Sequence, residues 1–397
     1  MAALNPVPPP EALATCQHSD HEIGRRALRI AMVCARYLPF TGGIETHIHE
    51  VGTRLAARGH RVTVLTTDPT QTLPSEEICN GMRIVRVKAW PKSRDWHFAP
   101  GVCTALANGD WDVVHIQGYN TFVAPLALMS AIRQGQRFVV TLHSGGHSSR
   151  LRQAVRGAQQ SMLRPLIARA HHLIAVSQFE AQFFGKRWRL PRTRFAVIPN
   201  GAGLASMAPR GPVARRRLVL SIGRLERYKG HHKVIEAFPD VLTRLPDARL
   251  QIVGDGPFAP QLRKLVKKLA LDETVSICSI PAGEREQMAG LLSRAGLVVL
   301  MSEYEANPVS VMEALSMRAR VLVSDTSGLR ELAAQGLCRA IALNASRAEL
   351  AAAMLEELRN ERQPPPPRLP DWDRCTNELL GVYESVMQRP DTPDAPV

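Results

Sequence analysis

Short apolar runs alternate with stretches of helical spacing along most of this chain. In the first half Ile30–Cys34, Arg61–Thr67, Met82–Val87, Val113–Ile116, Phe138–Leu142, His172–Val176 and Phe195–Ile198 read as strands, short runs rich in β-branched and other apolar residues. Helices are expected over about Ile44–Arg58, closed by Gly59, and from Gln178, capped by Ser177. A further helix is expected over Ser148–Arg169, with Pro165 kinking or breaking it. Strands interleaved with helices imply a parallel, doubly wound sheet.

The alternation restarts after residues 204–216, a Gly-, Pro- and Ala-rich stretch without periodicity that reads as a linker. Strands follow at Leu218–Ile222, Leu250–Val253, Val275–Ile277, Gly296–Met301 and Ala319–Ser324, and helices at His231–Leu245, Val309–Ala319 and about Cys375–Gln388, with Pro257 as the first residue of another. The expected organisation is an α/β domain over 28–203, a second over 217–369, and a helix over 370–389 that packs back toward the first domain. Residues 1–27 and 390–397 read as disordered tails.

Composition narrows the class. No run approaches the roughly 18 apolar residues of a membrane span, and the amino terminus lacks the charged-then-apolar pattern of an export signal, so a cytoplasmic location is expected. Seven cysteines, never in C-x-x-C spacing, argue for reduced thiols. The net charge of +14 is uneven: residues 1–200 hold 24 Lys/Arg against 12 Asp/Glu. A basic first half suits an anionic partner, and peripheral contact with an anionic membrane at the inner face of the plasma membrane is one reading, helped by the basic amphipathic stretch 148–169. An ordinary surface rich in Arg is the other. Nucleic acid is set aside, because no aromatic interleaving accompanies the arginines.

Chemistry concentrates where strands end. Glu305 and Glu313, in SEYEANPVSVMEA, fall in the loop after a strand and in the helix behind it. That edge of an open α/β sheet binds ligands, and carboxylates accept hydrogen bonds from the hydroxyls of a sugar or ribose. Arg224 and Lys229, in GRLERYKG, stand at another strand end beside a helix start, a place for a diphosphate. Gly42 and Gly43 precede a helix where backbone can approach a ligand closely, and His143 follows the FVVTL strand directly. His147 suggests a metal, but no third ligand accompanies it. Asp110-Trp-Asp112 precedes its strand, at the wrong edge for a cation site, and reads as turn chemistry. GDGPFA fits a dinucleotide fingerprint, yet no acid follows the next strand.

Taken together and in order, GGIETH, VVTLHS, IPNG, SIGRLERYKG, IVGDGP, the two glutamates seven residues apart and SDTSGLRE resemble the retaining glycosyltransferases of the group 1 type, glycosyltransferase family 4, over about residues 28–345. The resemblance implies a GT-B architecture, two doubly wound Rossmann-like domains facing across a cleft. It also implies a hexosyltransferase of polysaccharide or glycan biosynthesis, with a nucleotide-diphosphate sugar as donor and neither metal nor cofactor. By the same resemblance Arg224 and Lys229 hold the donor diphosphate, Glu305 binds sugar hydroxyls with Ala306, Asn307, Pro308 and Val309 beside it, and Glu313 binds the ribose. Gly42 and Gly43 lie near the phosphates, and His143 near the reacting sugar. The acceptor is a glycan, a lipid-linked sugar or a small metabolite. A sugar phosphorylase on the same scaffold and a catalytically inactive nucleotide-sugar-binding partner protein are the alternatives. The chain departs from the pattern at Arg318 and Arg320, expected to crowd a turn that usually carries Gly and Pro, and at Gly203, Gln117 and Ser327.

Overall fold

The structure, a computed structural model, describes residues 26–40, 42–92, 97–145, 150–207, 217–281, 283–360, 362 and 364–388, and of 150–155 and 205 the backbone only. The expected tails beyond 26 and 388, most of the linker, and His147 lie outside the described residues. The first sheet and its helices comprise β1 (Arg29–Val33), α1 (Gly43–Ala57), β2 (Arg61–Asp68), β3 (Glu76–Cys79), β4 (Met82–Lys88), α2 (Gly101–Ala107), β5 (Val113–Gln117), α3 (Val123–Arg133), β6 (Phe138–Thr141), α4 (Arg150–Ile167), β7 (His172–Ala175), α5 (Gln178–Trp188) and β8 (Phe195–Val197). The second comprises β9 (Leu218–Ile222), α6 (His231–Arg244), β10 (Arg249–Val253), α7 (Ala259–Lys268), β11 (Val275–Cys278), α8 (Arg285–Arg294), β12 (Leu297–Leu300), α9 (Val309–Ser316), β13 (Val321–Ser324), α10 (Ser327–Ala334), β14 (Arg339–Ile341) and α11 (Arg347–Arg359). The chain closes with α12 (Trp372–Gln388).

Strand order is β3-β4-β2-β1-β5-β6-β7-β8 in one sheet and β11-β10-β9-β12-β13-β14 in the other. Pairing is parallel throughout except at the β3–β4 edge. Parallel strands need apolar cover on both faces. Alternate residues of β1 supply it: Ala31 and Val33 join a core with β5, α3 and α5, whereas Ile30 and Met32 join one with α1 and α12. Within the latter core Trp372, Leu379 and Tyr383 are buried, so α12 completes the first domain rather than the second.

Several expectations need correction. Strand β3 is absent from the sequence reading because its four residues, EEIC, are mostly exposed and lie antiparallel at an edge, where no apolar run is required. Helix α4 runs through Pro165 to Ile167: the proline stands in the last turn, where it frees only the carbonyl of exposed Ser161. Helix α7 starts at Ala259, with Pro260 rather than Pro257 in its first turn. Helix α9 stops at Ser316, three residues short of the expected end. Arg318 takes the left-handed conformation (φ 56°), and the amides of Arg318 and Ala319 close on the carbonyls of Leu315 and Ala314 (2.8 and 2.9 Å). The guanidinium groups of Arg318 and Arg320 do not crowd this turn. They reach outward to the carbonyls of Pro364 (3.0 Å) and Asn360 (3.1 Å), fastening the proline-rich segment to the domain.

Candidate active site

In each sheet the strand order reverses once between chain neighbours, at β1/β5 and at β9/β12, and the crevice outside the carboxyl ends of such strands is where open α/β sheets bind ligands. The carboxyl ends of these four strands, with the loops and helix starts that follow them, carry Gly42 and Gly43, Gln117, Arg224 and Lys229, and Glu305 to Val309. Local folding places them. The G-x-G of GDGP, read above as an incomplete fingerprint, is a support: a Cβ on Gly254 would stand 2.0 Å from the carbonyl of Gly223, and one on Gly256 2.6 Å from that of Leu225. The second-domain loop with Arg224 therefore rests on a backbone shelf that admits no side chain.

Lys229 and Glu305 meet, Nζ to Oε1 at 2.5 Å, with both side chains nearly buried. Burial alone would lower the Lys229 ammonium, but the Glu305 carboxylate beside it pushes it up to about 12. Arg224 stands close enough for its charge to oppose that of Lys229, and its guanidinium lies 3.3 Å from the Glu226 carboxylate. The loop holding Glu305 is fixed at its backbone: the Glu305 amide donates to Ser327 Oγ (2.9 Å) and its carbonyl accepts from the Gly328 amide (2.8 Å). Ser327, which stands where the family pattern has glycine, takes the left-handed conformation (φ 43°) and contributes that hydroxyl. Gly328 has no substitute, since a Cβ there would lie 1.7 Å from the Ala306 carbonyl oxygen.

The first domain comes to the same place. Glu305 forms a backbone bridge with Gly145, and Tyr304 and Ser144 share a hydroxyl contact of 2.9 Å. Asn200, of the IPNG motif, donates from its side chain to the Asn307 carbonyl (2.7 Å) and from its backbone to Asn307 Oδ1 (3.2 Å). His143 donates from Nε2 to Gln117 Oε1 (2.7 Å), and its ring lies 4.8 Å from that of His47. Burial, with His47 and His115 nearby, holds His143 well below the ordinary imidazole range; burial lowers His47 to about 4 and His115 to about 3. The imidazoles of His143 and, buried behind it, His47 and His115 are thus held neutral on this side of the cleft. A Cβ on Gly43 would be 3.8 Å from Val309, so the amino ends of α1 and α9, each favourable to negative charge, face each other across the cleft. The Glu45 carboxylate folds back on Gly42, where it occupies the end of α1.

Glu313 stands apart from Lys229 and Glu305, on the fifth residue of α9. Its carboxylate accepts from Arg285 of α8 (2.6 Å), and the same guanidinium lies 3.7 Å from Glu50 of α1. Burial raises the Glu313 carboxyl, and Arg285 opposes that rise. Of the residues singled out in the sequence, the structure brings Lys229, Glu305, Ala306, Asn307, Pro308, Val309, Gly43 and His143 together, sets Arg224 beside Lys229, and gives Glu313 an arginine partner. Sequence reasoning missed Arg285, Glu50, Tyr304 and Ser144; ordinary helix and loop residues by type, they carried no signal. Gly203 packs under Trp372, which a Cβ would approach to 2.8 Å. Asp112 accepts from the backbone and guanidinium of Arg29 (2.8 and 3.1 Å), so the Asp110-Trp-Asp112 turn is structural. Among the described residues no three His, Cys, Asp or Glu group as a metal site.

Comparison with known proteins matches this layout. A family profile described as Glycosyltransferase Family 4 covers residues 41–205, and one described as Glycosyl transferases group 1 covers residues 206–368. The GDP-mannose:cellobiosyl-diphosphopolyprenol alpha-mannosyltransferase of Xanthomonas campestris is 27% identical over 83% of this chain and 87% of its own. The phosphatidyl-myo-inositol mannosyltransferase of Mycobacterium tuberculosis is 27% identical over 90% of this chain and 97% of its own. Among solved structures, HepE of Anabaena in complex with UDP and glucose superposes with a TM-score of 0.72 at 16% identity, over 90% of this chain and all of that one. Sucrose-phosphate synthase of Thermosynechococcus elongatus gives 0.71 at 19% identity, over 90% of this chain and 99% of that one.

Proposed function

The chain belongs to the group 1 glycosyltransferases with the GT-B fold and uses a nucleotide-sugar donor; from that premise we propose that it transfers a hexosyl group to a hydroxyl acceptor with retention and without a metal ion. The observation that carries the reading is the convergence of Lys229, Glu305 and the facing ends of α1 and α9 on one interdomain crevice. When the bond from the anomeric carbon to the diphosphate breaks, negative charge grows on phosphate. Lys229, Arg224 and the two helix ends stand where that charge develops, so they stabilise the transition state more than the ground state. Glu305 takes sugar hydroxyls, Glu313 the ribose. His143, neutral, donates or accepts a hydrogen bond beside the sugar without competing for the diphosphate. In the step proposed, the acceptor oxygen bonds to the anomeric carbon on the face the diphosphate leaves, and the acceptor proton passes to a departing phosphate oxygen.

The donor to test first is GDP-mannose, which the name of the Xanthomonas relative specifies, and both mannosyltransferase relatives name acceptors that join a phosphate to a lipid. We propose an acceptor of that amphiphilic class. A panel of nucleotide sugars, screened for thermal stabilisation and slow hydrolysis, tests the reading, since a specific ligand stabilises by RT ln(1 + [L]/Kd). A single base should stand out, EDTA should leave the rate unchanged, and the product should keep the donor's anomeric configuration. Phosphate-dependent release of sugar phosphate, or no response to any nucleotide, would contradict it.

A further inference from the structure

Gln117 stands where the family pattern often has a second histidine, and it sits in the middle of a hydrogen-bonded chain that runs from the cleft to α12. Its Oε1 accepts from Nε2 of His143 (2.7 Å), and its Nε2 donates to Nδ1 of His115 (3.3 Å). The Tyr383 hydroxyl, on α12, donates to the same His115 nitrogen (2.6 Å). His115 therefore carries its proton on Nε2 and donates it to Thr141 Oγ1 (2.6 Å). Gln117, His115, Thr141 and Tyr383 are all buried. Turning the Gln117 amide over would set its oxygen against the lone pair of His115 Nδ1, at the cost of an unpaired buried acceptor.

The consequence falls on His143. An amide oxygen only accepts, so a neutral imidazole beside it must hold its proton on Nε2 and keep a lone pair on Nδ1. A histidine at position 117 would impose no such rule, since either of its nitrogens can donate or accept. His143 follows β6 at the edge that faces the cleft, and it is partly exposed where His47 and His115 are buried. Its backbone is left-handed (φ 44°), a conformation that a residue with a side chain keeps only under the hold of its surroundings. The bond to Gln117 and the edge of the His47 ring, 4.8 Å away at 73°, supply that hold.

We propose that Gln117 is a positioning residue: through Oε1 it fixes His143 as the Nε2–H tautomer and so presents Nδ1 to the donor sugar as a hydrogen-bond acceptor. Glu305 and His143 then both accept, and the pocket selects sugars whose hydroxyls donate at both places; a sugar lacking the hydroxyl that faces Nδ1 leaves that nitrogen unpaired. This consequence rests on the sugar-binding reading of the crevice, whereas the tautomer itself is measurable without any substrate.

The first measurement is two-bond proton–nitrogen correlation NMR of the full chain with isotope-labelled histidine, the His143 signals being assigned by their loss in His143→Gln. From about pH 6 to about pH 9 His143 should show a protonated Nε2 and an unprotonated Nδ1. A proton on Nδ1 would overturn the proposal. The second measurement is hydrolysis of GDP-mannose, or of whichever nucleotide sugar the screen selects, with thermal melting on the same samples. Gln117→Met removes the acceptor and should mix the two His143 tautomers, lowering kcat/KM at least about tenfold. Gln117→Glu keeps an acceptor but adds negative charge, which favours the imidazolium and turns Nδ1 into a donor. Its kcat/KM should therefore be low at acid pH and recover as pH rises through the raised His143 pKa, a limb that wild type lacks. The titratable groups bearing on His143 are His47 of α1, lowered to about 4, and His115 of β5, lowered to about 3. Both lie below this range, and the Lys229–Glu305 pair across the cleft is common to variant and wild type, so the new limb reports His143. Should Gln117→Met fail to fold, the wild-type spectrum and the Gln117→Glu profile decide. Equal losses in both variants at every pH, with the His143 signals unchanged, would overturn the proposal, since Gln117 would then only fill space. The Nε2–H tautomer together with no response to any nucleotide sugar would uphold the tautomer lock and count against the catalytic reading instead.

Discussion

Separating Lys229 from Glu305 by mutation distinguishes what this pair does for the fold from what it does for the reaction. The two side chains are 13% and 8% exposed and lie 2.5 Å apart, so either charge left alone is poorly solvated. Breaking a buried pair from one side costs about 3–5 kcal/mol, whereas replacing both partners is close to neutral. Lys229→Met and Glu305→Gln should therefore each lower the melting temperature of the second domain by about 10 °C, at roughly 2–4 °C per kcal/mol for a domain of this size. The double variant should return to within about 1–2 kcal/mol of wild type, a coupling readable in a double-mutant cycle by denaturant titration. Activity should behave differently. Each single variant should lose about 10²-fold or more in turnover, because a cation at the leaving phosphate and an acceptor for sugar hydroxyls act in the transition state. The double variant, stable again, should remain as slow as the worse single one. Recovery of turnover along with stability would refute the reasoning, since the pair would then be structural; unchanged stability in both single variants would refute the burial argument.

Arg285→Met strips the buried Glu313 of its cation and should destabilise the protein by about 2–4 kcal/mol. Because burial raises the Glu313 carboxyl and its charged form is the unfavourable one, the loss should be larger at pH 8 than at pH 5 when measured by urea unfolding. His47, lowered to about 4 from 6.5, binds its proton more tightly in the unfolded chain. Its contribution is present above pH 6.5 and lost as pH falls toward 4, so the difference in stability between wild type and His47→Gln should shrink over that window; a pH-independent difference would contradict the assignment. Gly328→Ala places a methyl 1.7 Å from the Ala306 carbonyl and should cost at least about tenfold in kcat/KM by moving the Glu305 loop, with activity assays and thermal melting run together.

Much of this was legible in the sequence because parallel sheets advertise themselves. Strand β12, LVVL, is a continuous apolar run and β5, VVHIQ, is buried at every residue, and the reactive residues lie at or beyond the carboxyl ends of such strands, at the edge where ligands bind. The motif glycines were legible for the same reason, though the role of Gly254 and Gly256 was not: only the fold shows that they pack on the Gly223–Leu225 backbone. What stayed hidden depends on long-range pairing. Arg285 is an unremarked helix residue until α8, α9 and α1 come together, and β3 is a polar edge that periodicity passes over. Arg318 looked like an obstruction because the family it resembles usually carries Gly and Pro at this turn, where the chain has Arg318 and Arg320. The structure keeps the turn and employs the guanidinium elsewhere.

The central claim is that one crevice holds an activated sugar between Gly43 and the Lys229, Arg224, Glu305 and Glu313 side chains. A crystal soaked with the nucleotide that the screen selects tests it most directly. The account predicts diphosphate density between the Gly43 amide and Lys229 Nζ, with the ribose on Glu313 in place of Arg285. Nucleotide density bound at saturation anywhere else, with the Lys229–Glu305 contact undisturbed and Arg285 still on Glu313, would contradict it.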